Sequence, residues 1–122
     1  MEEQLLFSKD HIWLRLKEET AWIGISDYAQ KELGSILFLN LPEEGRQLEI
    51  GRCFGDVESI KNVSELISPV SGRVVRVNDG LLEEPERIHE TPYESWLIMI
   101  KVDKIAEDMM VEKKYLEYKD GL

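Results

Sequence analysis

Apolar and polar positions alternate near the start of the chain, with Ile12, Leu14 and Leu16 interleaved with His11, Trp13 and Arg15. That two-residue period predicts a strand with one buried face. The polar run Lys17 to Thr20 predicts a turn and Ala21 to Ile25 a second strand, so the two segments read as a hairpin. The signals then change to those of a helix. Ser26 suits an N-cap, Asp27 the positive end of the dipole and Gly34 a C-terminal stop, which together predict a short helix from Asp27 to Leu33.

Ile36 to Leu41 is apolar at odd and even positions alike, the pattern of a strand covered on both faces. Pro42 and Gly45 break it, and the charged segment from Pro42 to Gln47 reads as a turn. Leu48 to Gly51 leads into a stretch nearly symmetric about Lys61, bounded by Gly51 and Gly72. Two extended arms of that length would hold the lysine roughly 33 Å along the chain from either glycine. At the tip, Ile60, Lys61 and Asn62 fall where two antiparallel strands would reverse, and asparagine tolerates the backbone of a tight turn.

Val74, Val75 and Val77 predict a further strand, ended by an Asn78-Asp79-Gly80 turn. Leu82 to Ser95 carries two prolines and little periodicity, and reads as a long surface connection. Trp96 to Val102 is the last clear strand. Asp103 then suits an N-cap, and Ile105, Ala106, Met109, Met110 and Leu116 recur at helical spacing, so the tail is expected to be a helix, whole or broken, packed on the sheets. The resulting fold is mostly β, two sheets in a sandwich-like barrel with short helices at the periphery and a C-terminal helix.

Length and charge narrow the function. The 122 residues suit one domain, residues 1–122. A formal net charge of −10 disfavours a nucleic-acid partner and favours docking on basic protein faces. The chain lacks an apolar run of membrane-spanning length. Met1 to Gln4 is acidic where a targeting peptide would be basic, so a mature cytoplasmic chain is expected. Cys53 is the only cysteine and precedes Phe54 on an apolar strand, the setting of a buried structural thiol. His11 and His89 fall in no nucleophile or metal motif, and the many carboxylates read as a solvated surface, so the chain is not expected to be an enzyme. Lys61 by itself admits two readings, an ordinary solvated lysine on a hairpin tip or an acceptor for an acyl group.

The blocks His11 to Trp13, Gly24 to Gly34, Leu41-Pro42, Glu58 to Leu66, Ser68 to Asn78 and Trp96 to Ile100, with Leu81, Pro85, Pro92 and Tyr93, resemble the H proteins of the glycine cleavage system in the same order along the chain. The resemblance implies a lipoyl/biotinyl-type barrel-sandwich hybrid. It implies that Lys61 carries lipoate as an amide, with Glu58 and Glu65 as acids near the attachment point. The implied partners are a pyridoxal-phosphate glycine decarboxylase, a folate-dependent aminomethyltransferase, a dihydrolipoyl dehydrogenase and the lipoyl ligase or transferase that loads the lysine. A monomeric, non-catalytic carrier is expected, with no nucleic-acid or membrane partner.

The chain also departs from that pattern. Ile12 stands where the family has a glutamate that helps line the pocket for the loaded arm, Asn62 replaces a small residue, Ser35 an acid and His89 an asparagine, and the Pro92 to Trp96 segment is shorter. These departures leave two alternatives: a lipoyl carrier with another passenger, serving sulfur oxidation or lipoyl relay, and an unmodified interaction module. A biotin carrier is disfavoured because Ile60 and Asn62 stand where methionines usually flank the lysine.

Overall fold

In chain order the elements are β1 (Gln4–Phe7), β2 (Ile12–Lys17), β3 (Thr20–Ile25), α1 (Asp27–Leu33), β4 (Ile36–Asn40), β5 (Gln47–Leu48), β6 (Cys53–Ser59), β7 (Val63–Ile67), β8 (Val70–Val77), α2 (Asp79–Glu83), α3 (Arg87–Glu90), β9 (Ile98–Ile105), β10 (Met110–Val111) and α4 (Glu112–Asp120). The computed structural model describes residues 3–122, so the acidic start read at Met1 to Gln4 lies partly outside the described residues. Seven strands form one antiparallel sheet in the order β10-β1-β2-β3-β9-β8-β5, and β4-β6-β7 form a second; neither closes on itself.

The main core lies between these sheets. Ile12, Leu14, Ala21 and Ile23 from the larger sheet meet Ile36, Leu39, Val57 and Leu66 from the smaller one, with Val70, Val74, Ile98 and Ile100 completing the layer. Each such buried aliphatic side chain contributes about 1.5–3 kcal/mol. A second cluster covers the opposite face of the larger sheet, where Phe7, Trp13 and Tyr115 are buried together. The Phe7 and Tyr115 rings stack at 4.5 Å, which fastens α4 to β1. Trp13 lies opposite Gly24, and a Cβ at Gly24 would collide with the indole. The missing side chain is therefore what lets the tryptophan lie flat on the sheet, where its Nε1–H donates to the Pro92 carbonyl.

The hairpin of β2 and β3 and the helix α1 form where the pattern predicts them, and Ser26 caps α1 by accepting the Ala29 N–H at 3.2 Å. Other expectations are corrected. Leu37 and Phe38 of β4 face solvent rather than a covering layer, because a bulge between Ile36 and Phe38 turns two consecutive side chains outward. The second arm about Lys61 ends at Ile67, well short of Gly72, since the chain leaves the small sheet at Ser68-Pro69 and β8 joins the large one. Cys53 is exposed, not buried: Phe54 takes the inward position, and the strand period sends its neighbour outward.

Asn78-Asp79-Gly80 opens a helix instead of reversing a hairpin, with the Asn78 side chain accepting the Leu81 N–H as the cap of α2. The following segment is not a loose surface connection. It holds α2 and α3, with Leu81 and Ile88 buried and Asn78 Nδ2 donating to Trp96 O at 2.8 Å. The tail departs most from its pattern. Ile105 closes β9 opposite Val70, Met110 pairs with Phe7, and the helix starts only at Glu112. Strand β1, which the alternation did not announce, is held between β2 and β10.

Candidate functional site

The hairpin of β6 and β7 runs in register from Cys53–Ile67 to Glu58–Val63, with one bulge between Cys53 and Gly55. Ser59 builds its tip. Its backbone N–H donates to Asn62 O at 2.8 Å, and its hydroxyl accepts the N–H groups of Lys61 and Asn62 at 3.2 and 3.3 Å. A single small hydroxyl thus satisfies the reversing backbone, as in other serine-capped turns. Among the non-glycine residues described, only His11 and Glu18 have positive φ, so Asn62 does not supply the left-handed backbone that its residue type allows. The tip is braced from outside the hairpin by the Ile60 N–H, which donates to Ser35 O at 2.9 Å.

Lys61 is exposed and forms no ion pair among the described residues. Its Nζ donates to Glu32 O at 3.4 Å, at the C-terminal end of α1, where the orphan carbonyls and the negative end of the dipole favour an ammonium. The lysine stem passes over Gly34, and a Cβ there would sit 3.3 Å from Lys61 Cε. Gly34 also has φ +73° and ψ −160°, a conformation open to glycine.

Beside the tip, a cavity of about 180 Å³ opens between the hairpin, α1 and the Asp10–Ile12 corner. Ile12, Ile25, Ala29, Leu33, Val57 and Leu66 make its apolar wall. Its polar groups are Asp10, His11, Tyr28, Glu32, Ser64 and Glu65. Three carboxylates therefore ring a mostly apolar cavity. Of the acids expected near the lysine, Glu65 lines this cavity. Glu58 is half-buried in a cross-strand row with Phe38 and Val63, and does not line it. Ile12 is 2 % exposed, part of the wall and of the core at once.

The helical wall is fixed from several sides. Gln30 Nε2 donates to Asp27 Oδ1 at 2.8 Å, and this bond, with Lys31 adding its charge, holds the Asp27 carboxyl below its usual range. His89 Nε2 accepts the Ile36 N–H at 3.2 Å, so its Nδ1 carries the proton donated to Gln30 Oε1 at 2.6 Å. His89 is thus a strut between α1, α3 and the start of β4. At the opposite wall His11 adopts φ 66°, and its Nδ1 hydrogen-bonds Tyr115 OH at 2.8 Å. That hydroxyl also bonds Ser26 Oγ, the cap of α1, at 2.7 Å. Burial lowers the His11 pKa against the opposing pull of Asp10 and Glu32, and pushes Tyr115 up to about 12.

The sequence pattern does not announce Asp10, Tyr28, Glu32 or Tyr115 as residues of the site. A signal existed for two of them: Tyr28, Ala29, Glu32 and Leu33 share one face of a helix whose limits were readable. Asp10 and Tyr115 come to the site through long-range packing and leave no local mark.

The family model described as "Glycine cleavage H-protein" matches residues 5–121. The probable glycine cleavage system H protein of Pyrococcus furiosus is 44% identical, over 97% of this chain and 91% of its own. The glycine cleavage system H protein of Oceanobacillus iheyensis is 46% identical, over 93% of this chain and 92% of its own. A crystal structure of a glycine cleavage system H protein from Mycobacterium marinum superposes with a TM-score of 0.91 at 30% identity, covering 100% of both chains.

Proposed function

The chain belongs to the glycine cleavage H-protein family, and we propose that it serves there as a non-catalytic carrier, with lipoate attached as an amide to Lys61. The observation that carries this reading is a primary amine exposed on a braced tip, next to an apolar cavity ringed by carboxylates. When attached, lipoate would supply a disulfide that is reduced as it accepts a one-carbon amine, and the dithiol left once that group departs would return the electrons to a flavin enzyme.

The protein's own residues do the rest. Lys61 gives the attacking amine. Ser59 and Ser35 fix its direction through the hydrogen bonds at the tip. The apolar wall excludes water from whatever enters the cavity, and Asp10, Glu32 and Glu65 offer negative charge to a cationic passenger. This arrangement answers the absence of a glutamate at position 12, because the charge comes from the rim while Ile12 stays in the core. Covalent attachment keeps the arm at high local concentration for each docked enzyme. The partners are then the glycine decarboxylase, the aminomethyltransferase, the dihydrolipoyl dehydrogenase and a lipoyl ligase or transferase, visited by a monomer of one domain, residues 1–122, in the cytoplasm.

Glycine-dependent turnover in the reconstituted system tests this: Lys61→Arg keeps the charge but cannot be acylated in the same way, and should abolish turnover. Retained turnover would favour an unmodified interaction module. Ile12 is the departure that most favours another passenger, with Asn62, Ser35, His89 and the short Pro92 to Trp96 segment pointing the same way with less force. Because the rim supplies the charge and Ile12 is buried in the core, the discriminating change is Asp10→Asn with Glu32→Gln, which should lower glycine-dependent turnover if the passenger is aminomethyl; unchanged turnover would favour the other cargo.

A further inference from the structure

The small sheet and its tip expose four large apolar side chains around Lys61: Leu37, Phe38, Ile60 and Val63, which are 50, 62, 69 and 59 % exposed. Two features of the backbone put them there. The β4 bulge turns Leu37 and Phe38 outward together, where regular alternation would bury one of them. Register then sets Phe38, Glu58 and Val63 in one cross-strand row on the outer face, directly below the lysine turn. The opposite face of this sheet belongs to the main core. The outer face is therefore apolar by construction, although water covers it.

Its charge is one-sided. Asp56 and Glu58 of β6 lie along this face, and Lys61 is the only cation of β4, β6, β7 and their tip. A partner that neutralises such a face needs a basic rim about an apolar socket.

We infer that this face is the docking surface for the enzyme that acylates Lys61, an enzyme whose lysine channel opens in an apolar socket rimmed by basic side chains. The inference rests on the proposed attachment at Lys61. An enzyme acylating Nζ must draw the lysine itself into its active site and so cover the side chains beside it. A partner that reacts at the far end of the finished arm has no such need. The exposed apolar row lies where only the first kind of encounter requires contact.

The test uses the full, unmodified chain with a purified lipoate-protein ligase, lipoate and ATP, with acylation followed by intact mass. Phe38→Ser and Val63→Ser are the variants, and Leu116→Ser on α4 is the control. All three residues are exposed, and Ile60→Ser gives an independent variant at the tip. Each face variant should lower kcat/KM by about tenfold, mainly through KM, while the control stays within about twofold. Asp56→Asn with Glu58→Gln should flatten the salt dependence of the rate. After exhaustive acylation, reduction of the attached lipoyl disulfide by NADH and dihydrolipoyl dehydrogenase should proceed in the variants as in the unsubstituted chain. Equal acylation of face variants and control would overturn the docking surface, and so would an equal loss in the dehydrogenase assay. Failure of the unsubstituted chain to be acylated would instead remove the carrier reading on which the inference stands.

Discussion

Tyr115→Phe removes one oxygen and tests how the C-terminal helix holds the candidate site. The hydroxyl makes two hydrogen bonds, 2.8 Å to His11 Nδ1 and 2.7 Å to Ser26 Oγ. Each is worth about 0.5–1.5 kcal/mol net, with an added penalty where a buried partner is left unmatched. Ser26 is fully buried but keeps its bond from the Ala29 N–H, and His11 is only partly buried, so water can replace part of what it loses. The sum is about 2 kcal/mol. The stacking of the ring on Phe7 survives, so the helix should stay docked. In a chain of this length that loss corresponds to a fall in melting temperature of about 8 °C. Thermal or urea unfolding measures it, and a double-mutant cycle with Ser26→Ala should show a coupling of about 1 kcal/mol. A shift below about 2 °C, or strict additivity in the cycle, would refute the claim that this hydroxyl ties α4 to the cavity wall.

Gly34→Ala places a side chain at φ +73° and ψ −160° and within 3.3 Å of Lys61 Cε. It should cost about 1–3 kcal/mol in urea unfolding and slow acylation of Lys61, because strain and displacement of the lysine stem act together. Burial lowers the His11 pKa below its usual 6.5, so the unfolded chain binds the extra proton first. Stability should accordingly fall as pH drops through 6.5 and level off below the lowered folded value, and His11→Asn, which tolerates the positive φ, should flatten that slope in unfolding measured from pH 8 to 5. Asp10→Asn combined with Glu32→Gln should speed loss of a cationic passenger from the loaded carrier by about fivefold, since each partly solvated carboxylate contributes at most about 1 kcal/mol; following release of the one-carbon unit by mass checks this.

The parts of the fold readable in the sequence are those written by local chemistry. Ser26, Asp27 and Gly34 mark both ends of α1, and the alternation from Ile12 to Leu16 marks β2, because cap, dipole and strand period act within a few residues. The tail is ambiguous in the sequence because Ile105, Ala106, Met109 and Met110 fit a helical stripe equally well. Pairing with Val70 and Phe7, far away in sequence, decides in favour of strands. Phe38 and Cys53 face solvent against their pattern for a related reason: apolar character does not say which face a strand buries, and a bulge or a single inward neighbour decides it. At the site, the tip and Glu65 could be read directly. Asp10 and Tyr115 arrive through contacts that span the chain, and Ile12 gained its meaning only when the rim carboxylates stood around it.

The central claim is attachment at Lys61, and intact mass of the protein from its native host, with peptide mapping across Cys53 to Ile67, tests it most directly. The account predicts a lipoyl increment confined to Lys61. An unmodified Lys61, in cells whose other lipoyl proteins carry the group, would contradict it.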